Sequence, residues 1–273
     1  MKRSLFPYLI FLAACSGNNS KNDRSGIPYP DSEEQKKWEA QQDTTQQAEP
    51  FALLELYSSE GCSDCPAAEE VLNKITKESV ADKSYIYPLA FHVDYWNKLG
   101  WKDRFADSAF SNRQRKYRGT FKNEVVYTPQ MIVNGQVEFV GSDETKTRRV
   151  IDSVMKITPE CYFTIHPDLT TEKLTIDYSI IRFPERDKSA GFKICFAFVE
   201  RGLSSDVLRG ENKGKKLQHE NVVRYFREID LIKNEGSTFL PVGGKKVTKN
   251  NSLIVFVQER GSMKIVGANI WNF

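Results

Sequence analysis

The chain has 273 residues, enough for two ordinary domains, and 40% of them are hydrophobic, which suffices for packed cores. Its formal net charge is +3 and falls to about +1 if Lys2 and Arg3 are removed with a leader. That excludes the strong basic excess of a nucleic-acid binder, so no nucleic-acid partner is expected.

The chain begins with the basic pair Lys2-Arg3, an apolar core from Leu5 to Leu12 and the small residues Ala13-Ala14. The core is too short to span a bilayer, and this order of segments is that of a cleaved export signal. "LAAC", Leu12 to Cys15, resembles the bacterial lipoprotein box. That resemblance implies a signal peptide over residues 1–14, acylation of Cys15 and an exported lipoprotein held to a lipid bilayer on its periplasmic or cell-surface side. An ordinary signal with an incidental cysteine is the alternative. Residues 15–50 are polar and lack apolar periodicity, so they read as a disordered tether. As a coil it would span about 30 Å.

From Phe51 to Tyr57, "FALLELY" fits a buried strand, and the spacing of Ala67, Ala68, Val71, Leu72 and Ile75 predicts a helix from Cys62 to Lys77. A second strand is expected over Ser84 to Val93 and a second helix over Asp103 to Tyr117. Asn134-Gly135 predicts a two-residue turn between strands Met131 to Val133 and Gln136 to Val140. A helix from Glu144 to Lys156 closes this unit, residues 51–157. Beyond Pro159 the texture changes to repeated short β signals, which predict an antiparallel β-sandwich over residues 158–273. "NVVRYFREI", Asn221 to Ile229, is compatible with a strand or a short helix.

"SSEGCSDCPAAEE", Ser58 to Glu70, places two cysteines three positions apart at a helix start. Unsatisfied backbone N–H groups and the helix dipole favour a thiolate there, so Cys62 is the expected exposed nucleophile. Cys65 can then attack a mixed disulfide on Cys62 and release the bound partner. Glu60 and Asp64 add negative charge that works against the thiolate, which leans toward a reductase or isomerase over a strong oxidant. A permanently closed structural disulfide and a metal clip are the alternatives. A structural zinc site needs four ligands and the chain has no second Cys-x-x-Cys, although His92 and Asp94 could join Cys62 and Cys65 on copper or zinc.

A strand, a Cys-x-x-Cys at a helix start and a later Thr-Pro before a hairpin resemble the thioredoxin superfamily. The resemblance implies a thioredoxin-like α/β domain, a central mixed sheet flanked by helices. It also implies a cis Thr128-Pro129 bond against the cysteines, and a substrate backbone paired beside Thr128. Glu55 becomes the candidate proton acceptor for Cys65, a surface-facing glutamate being the alternative. "ELYSSEGCSDCPAAE", "AFHVDYWNKLGWKD" and "VYTPQMIVNGQVEFVGSD", with the later "RGENKGKKLQHENVVR" and "FVQERGSMKIVGA", are similar to the secreted thioredoxin-like proteins of domain-of-unknown-function family 1223.

Trp96, in "HVDYWNKLGW", is expected either to rim a substrate groove or to pack the top of the domain. Cys161 and Cys195 could form a structural disulfide in an oxidising compartment, or stay as two free buried thiols. "GENKGK" at Gly210 to Lys215 reads as a loop, and His166 and His219 join no recognisable constellation. The expected activity is thiol–disulfide exchange with extracytoplasmic thiol or disulfide proteins. It needs no cofactor beyond the redox-active disulfide and draws on a membrane electron donor or acceptor. A metal-delivery lipoprotein and a non-catalytic surface binding protein are the competing classes.

Overall fold

The computed structural model describes residues 49–122, 125–171, 173–183, 191–242 and 246–273. The expected leader, the lipidation site Cys15 and nearly all of the expected tether lie outside the described residues. Among the described residues no helix is long and apolar enough to cross a membrane.

The first half runs β1 (Ala52–Ser58), α1 (Cys65–Asp82), β2 (Ile86–His92), a single 3-10 turn at Asn97–Leu99, α2 (Ser108–Phe121), β3 (Gln130–Val133), β4 (Val137–Val140) and α3 (Glu144–Val154). Each helix begins where a local device fixes it. Pro66 at the start of α1 supplies a preset φ and lacks an N–H that the first turn could not use, so the helix starts at Cys65 and not at Cys62. The Asp107 carboxylate accepts from Ala109 N and starts α2 five residues later than the apolar spacing predicts. At the β3–β4 turn Asn134 and Gly135 have φ of 47° and 68°, and Gln136 N donates to Val133 O, as the Asn-Gly pair predicts. A Cβ on Gly135 would collide with the carbonyl of Met263, so this turn needs glycine for space as well as for φ.

The second half contributes β5 (Tyr162–Leu169), β6 (Leu174–Arg182), β7 (Phe192–Glu200), β8 (Leu203–Asp206), β9 (Lys216–His219), β10 (Val222–Asp230), β11 (Glu235–Leu240), β12 (Asn251–Glu259) and β13 (Ile265–Asn272). The segment left open between strand and helix is therefore strand β10. One mixed sheet of eight strands runs β13-β12-β7-β10-β2-β1-β3-β4 and crosses the expected boundary at residue 157. β1 and β2 are parallel with α1 as their crossover, and β1–β3 and β3–β4 are antiparallel. The seam between the halves is a single ladder pair, Val222 with Ala90, in parallel orientation. Pro88 explains its brevity: two residues before Ala90 it faces the same edge without an N–H to donate. Asn221 replaces the missing bonds, its backbone carbonyl accepting from Ala90 N and its side-chain amide donating to Pro88 O at 2.9 Å.

Each face of the large sheet is buried. One carries a continuous core from both halves, including Leu53, Phe91, Ile132, Ala197 and Phe256, and α2 covers it with Phe110 and Tyr117. On the other face α1 and α3 pack against Leu54, Leu56, Ala90 and Met131. Further along that face, Ile194, Phe196, Leu253 and Val255 pack against the antiparallel sheet β11-β6-β5. The expected sandwich is thus present as three strands stacked on part of a sheet that continues into the first half. β8 and β9 form a separate two-stranded ribbon.

Inside the continuous core, Glu55 of β1 and Arg113 of α2 form a fully buried ion pair. Arg113 Nε and Nη2 donate to the two carboxylate oxygens at 2.7 and 2.9 Å, and the hydroxyls of Tyr57 and Tyr117 donate to them as well. Arg113 Nη1 also donates to Gln258 Oε1 of β12 at 3.1 Å, and its guanidinium lies over the rings of Phe226 and Phe256. Burial opposes the charge on Arg113, but Glu55 more than offsets it and holds the guanidinium firmly protonated. Glu55→Gln leaves the buried cation with only Glu228, 3.8 Å from Nη1, as counter-charge and is expected to cost about 3–5 kcal/mol of stability. Urea unfolding measures this, and a loss below about 1 kcal/mol would contradict the assignment.

Candidate redox site and the histidine cluster beneath it

Cys62 and Cys65 form a disulfide, with Cα atoms 5.4 Å apart. Cys65 opens α1, while Cys62 lies in the tight turn before it, tied by Cys65 N donating to Cys62 O. The Thr128-Pro129 bond is cis, and the Thr128 carbonyl oxygen lies 3.9 Å from Cys62 Sγ. Trp96 Nε1 donates to Thr128 Oγ1 at 2.8 Å, and the Trp96 Cβ sits against Gly61 so closely that a side chain there would press on it. The structure therefore gathers Cys62, Cys65, Thr128, Pro129 and Trp96 into one place.

The expectation of an exposed Cys62 is corrected: Cys62 is 2% and Cys65 1% exposed. The turn is held from both halves, by Trp96 and Thr128 in the first and by a loop of the second. Asn212 Nδ2 donates to the carbonyls of Glu60 and Cys62 at 2.9 and 2.8 Å, and Glu211 accepts from Ser63 N at 2.9 Å. Gly210, at φ 74°, packs against Trp101. The "GENKGK" loop is thus a strap clipped over the cysteine turn.

Glu55 stands apart from this site. Its oxygens are occupied by Arg113, Tyr57 and Tyr117 on the α2 side of the sheet, and among the described residues no hydrogen bond links it to Cys65. One helical turn beyond Cys65, on the same face of α1, the buried acid is Glu69. Cys161 and Cys195 are free thiols. Cys195 points from β7 into the core under α2, whereas Cys161 lies in the sandwich core on the opposite face, so no bond can join them. Burial pushes both thiols up to about 12.

Below the cysteine turn lies a buried cluster that sequence reasoning missed. His92 ends β2 beside Ser58, and its Nδ1 is 2.7 Å from Asp103 Oδ2, which also accepts from Glu60 N. His92 Nε2 is 3.5 Å from Glu69 Oε1. His219 of β9 has Nδ1 3.4 Å from Glu69 Oε2 and Nε2 3.3 Å from Glu60 Oε1. The other Glu60 oxygen accepts from Trp101 Nε1 at 2.7 Å. Asn73 of α1 holds His219 in place, donating to Gln218 O and accepting from Glu220 N. Burial works against protonating His219, but the carboxylates of Glu60 and Glu69, one beside each ring nitrogen, outweigh it and raise the imidazole to about 10. His92 is likewise raised, Asp103 overcoming its burial. Burial would raise Glu69 and Asp103, yet the neighbouring imidazoles hold both below the ordinary carboxylate range. The available signal was scarcity: the chain has three histidines, and two of them meet here.

Residues 53–258 match the family described as protein of unknown function (DUF1223), three quarters of the chain and both sides of the seam. The chain belongs to that family. A DUF1223 chain is also similar over most of its length to a structural-genomics protein from Agrobacterium tumefaciens, at 25% identity and TM-score 0.59, covering 84% of this chain and 96% of that one. A domain of the outer membrane lipoprotein Omp28 from Porphyromonas gingivalis matches 42% of this chain and 88% of its own, at 13% identity and TM-score 0.23. No curated protein matches.

Two outcomes follow for this DUF1223 site. Asn212→Ala removes two hydrogen bonds to buried carbonyls, worth about 1–3 kcal/mol together, and is expected to speed phosphine reduction of the Cys62–Cys65 disulfide about tenfold; an unchanged rate would mean that the strap is not the cover. At pH 8, alkylation of the native protein should spare Cys161 and Cys195 and reach both after denaturation, as peptide mass mapping would show.

Proposed function

We propose that the protein is a thioredoxin-like thiol–disulfide oxidoreductase working outside the cytoplasm. The observation that carries this reading is the Cys62–Cys65 disulfide at the start of α1 with Cys62 Sγ 3.9 Å from the carbonyl that precedes cis-Pro129. That arrangement lets an extended partner lay its backbone beside Thr128 with its own sulfur at Cys62.

In the oxidising direction a substrate thiolate attacks Cys62 Sγ, the disulfide breaks and Cys65 leaves as thiolate. A second substrate thiol displaces Cys62, so two electrons and two protons pass to the cysteine pair and the substrate gains one disulfide. Reduction and isomerisation reverse or partly reverse these steps. Glu60 is engaged by Trp101 and His219, so the lean toward a reductase or isomerase rests on the exposed Asp64. Because the pair is covered, exchange proceeds through displacement of Trp96 or the 210–212 strap. The lipoprotein reading of Cys15 belongs to the same proposal. It ties the chain to a bilayer, near membrane donors or acceptors able to reset the cysteines.

The test is Cys65→Ser expressed in the native host, followed by non-reducing separation and identification of adducts. Extracytoplasmic thiol proteins held on Cys62, absent from the Cys62→Ser,Cys65→Ser double variant, are expected, together with a reduction potential above about −300 mV. No adducts and a potential below that value would make the disulfide a structural staple.

A further inference from the structure

We propose that Glu69, His92 and His219 bind one first-row divalent transition-metal ion, zinc being the reference case, directly beneath the cysteine turn. One donor atom from each of Glu69, His92 and His219 lies within 4.8 Å of the others, and all three residues are buried. Glu60 is buried as well and approaches His219 Nε2 at 3.3 Å.

The decisive feature is which atoms have no hydrogen-bond partner. Among the described residues, Glu60 Oε1, Glu69 Oε1, His92 Nε2 and His219 Nε2 are all buried and none makes a hydrogen bond. Buried polar atoms without partners are uncommon, and each calls for a physical reason. Here Glu69 Oε1 and His92 Nε2 face each other at 3.5 Å without hydrogen-bond alignment, while Glu60 Oε1 meets His219 Nε2 at 3.3 Å on the side of that ring away from Glu69, which lies at Nδ1. Two donors each about 2.0–2.1 Å from a tetrahedral zinc ion are separated by about 3.3 Å, so the 3.5 Å between Glu69 Oε1 and His92 Nε2 is close to that of ligands around a shared cation, and His219 completes the group within 4.8 Å.

The remaining atoms of the same side chains are oriented as an outer shell would orient them. His92 Nδ1 is directed to Asp103 Oδ2 at 2.7 Å, which fixes the ring so that the Nε2 lone pair points inward. Asp103 is in turn held by the N–H groups of Glu60 and Phe105. Trp101 Nε1 engages Glu60 Oε2 and leaves Oε1 facing His219. The edge of the Phe105 ring closes the site against both imidazoles. Two imidazoles and one carboxylate suit a divalent ion of the zinc, iron or cobalt group, and neither cysteine belongs to the set. With neutral imidazoles, Glu60, Glu69 and Asp103 leave three negative charges in a buried space, which a divalent ion reduces to one. Glu69 and His92 come from the first half and His219 from the second, so the ion would pin the seam under the cysteine turn.

The proposal stands whether or not the cysteine pair turns over, and its test avoids the cysteines. Full-length protein and its Cys62→Ser,Cys65→Ser variant are stripped with chelator, exposed to zinc, desalted and analysed by elemental mass spectrometry, with cobalt(II) absorption as a second readout. One equivalent is expected in each, and cobalt bands without thiolate charge transfer. Asp103→Asn should weaken zinc binding about 10–100-fold, and His219→Ala should abolish retention. Should His219→Ala fail to fold by circular dichroism, Glu69→Gln serves in its place, with weakened retention expected. Failure of the parent chain to retain zinc would overturn the site and leave protons as the counter-charges. So would loss of uptake on replacing the cysteines, or unchanged uptake in the cluster variants.

Discussion

The pairing of Val222 with Ala90 is the constraint on which the rest of the structure depends. It is one ladder pair long because Pro88 cannot donate, and the Asn221 side chain supplies what the backbone lacks. Through it a four-strand array from the second half becomes an extension of the β1-β2-β3-β4 array, and a single core under α2 runs across both. The chain segment leading into β10 is consequently laid against α1 and the cysteine turn. That is how His219 reaches Glu69, and how Asn212 reaches the carbonyls of Glu60 and Cys62. The cysteine pair and its cis-proline belong to the first half, but the histidine cluster and the strap are assembled across the seam, and neither half contains them.

Two buried polar systems sit on opposite faces of β1 and β2, and they differ in kind. The Glu55–Arg113 pair is closed: each charged group has aligned donors or acceptors, with two tyrosines and Gln258 completing the set. Its role is to hold α2 and β12 to the sheet. The His92–Glu69–His219–Glu60 group is open in the sense that Glu60 Oε1, Glu69 Oε1, His92 Nε2 and His219 Nε2 lack hydrogen-bond partners among the described residues. A closed system rigidifies the fold, whereas an open one retains binding capacity.

The alternation and burial pattern of the sequence made most strands and all three helices legible, because both faces of β1 and β2 are covered and their apolar runs are long. The Asn134-Gly135 turn and the Thr128-Pro129 bond could be placed because their chemistry is local. What escaped is non-local. Lys216–His219 is half polar and gives no strand signal, because its order comes from Asn73 across the chain. Glu60 reads as a surface charge beside Cys62 until Trp101 and His219 close over it. Glu55 attracts a catalytic role by its position before the cysteines, but alternation on β1 sends it to the other face, where Arg113 waits. Cys161 and Cys195 invite a bridge on paper, and the sheet between them forbids it.

The separation of the strap from the turn it covers also orders events in time. Asn212 follows Cys62 by 150 positions, so at ordinary elongation rates about ten seconds pass between making the cysteines and making their lid. During that interval the two sulfurs are open to whatever oxidant or thiol the nascent chain meets. The bond found in the finished molecule thus has an unobstructed opportunity to form before the strap arrives to enclose it.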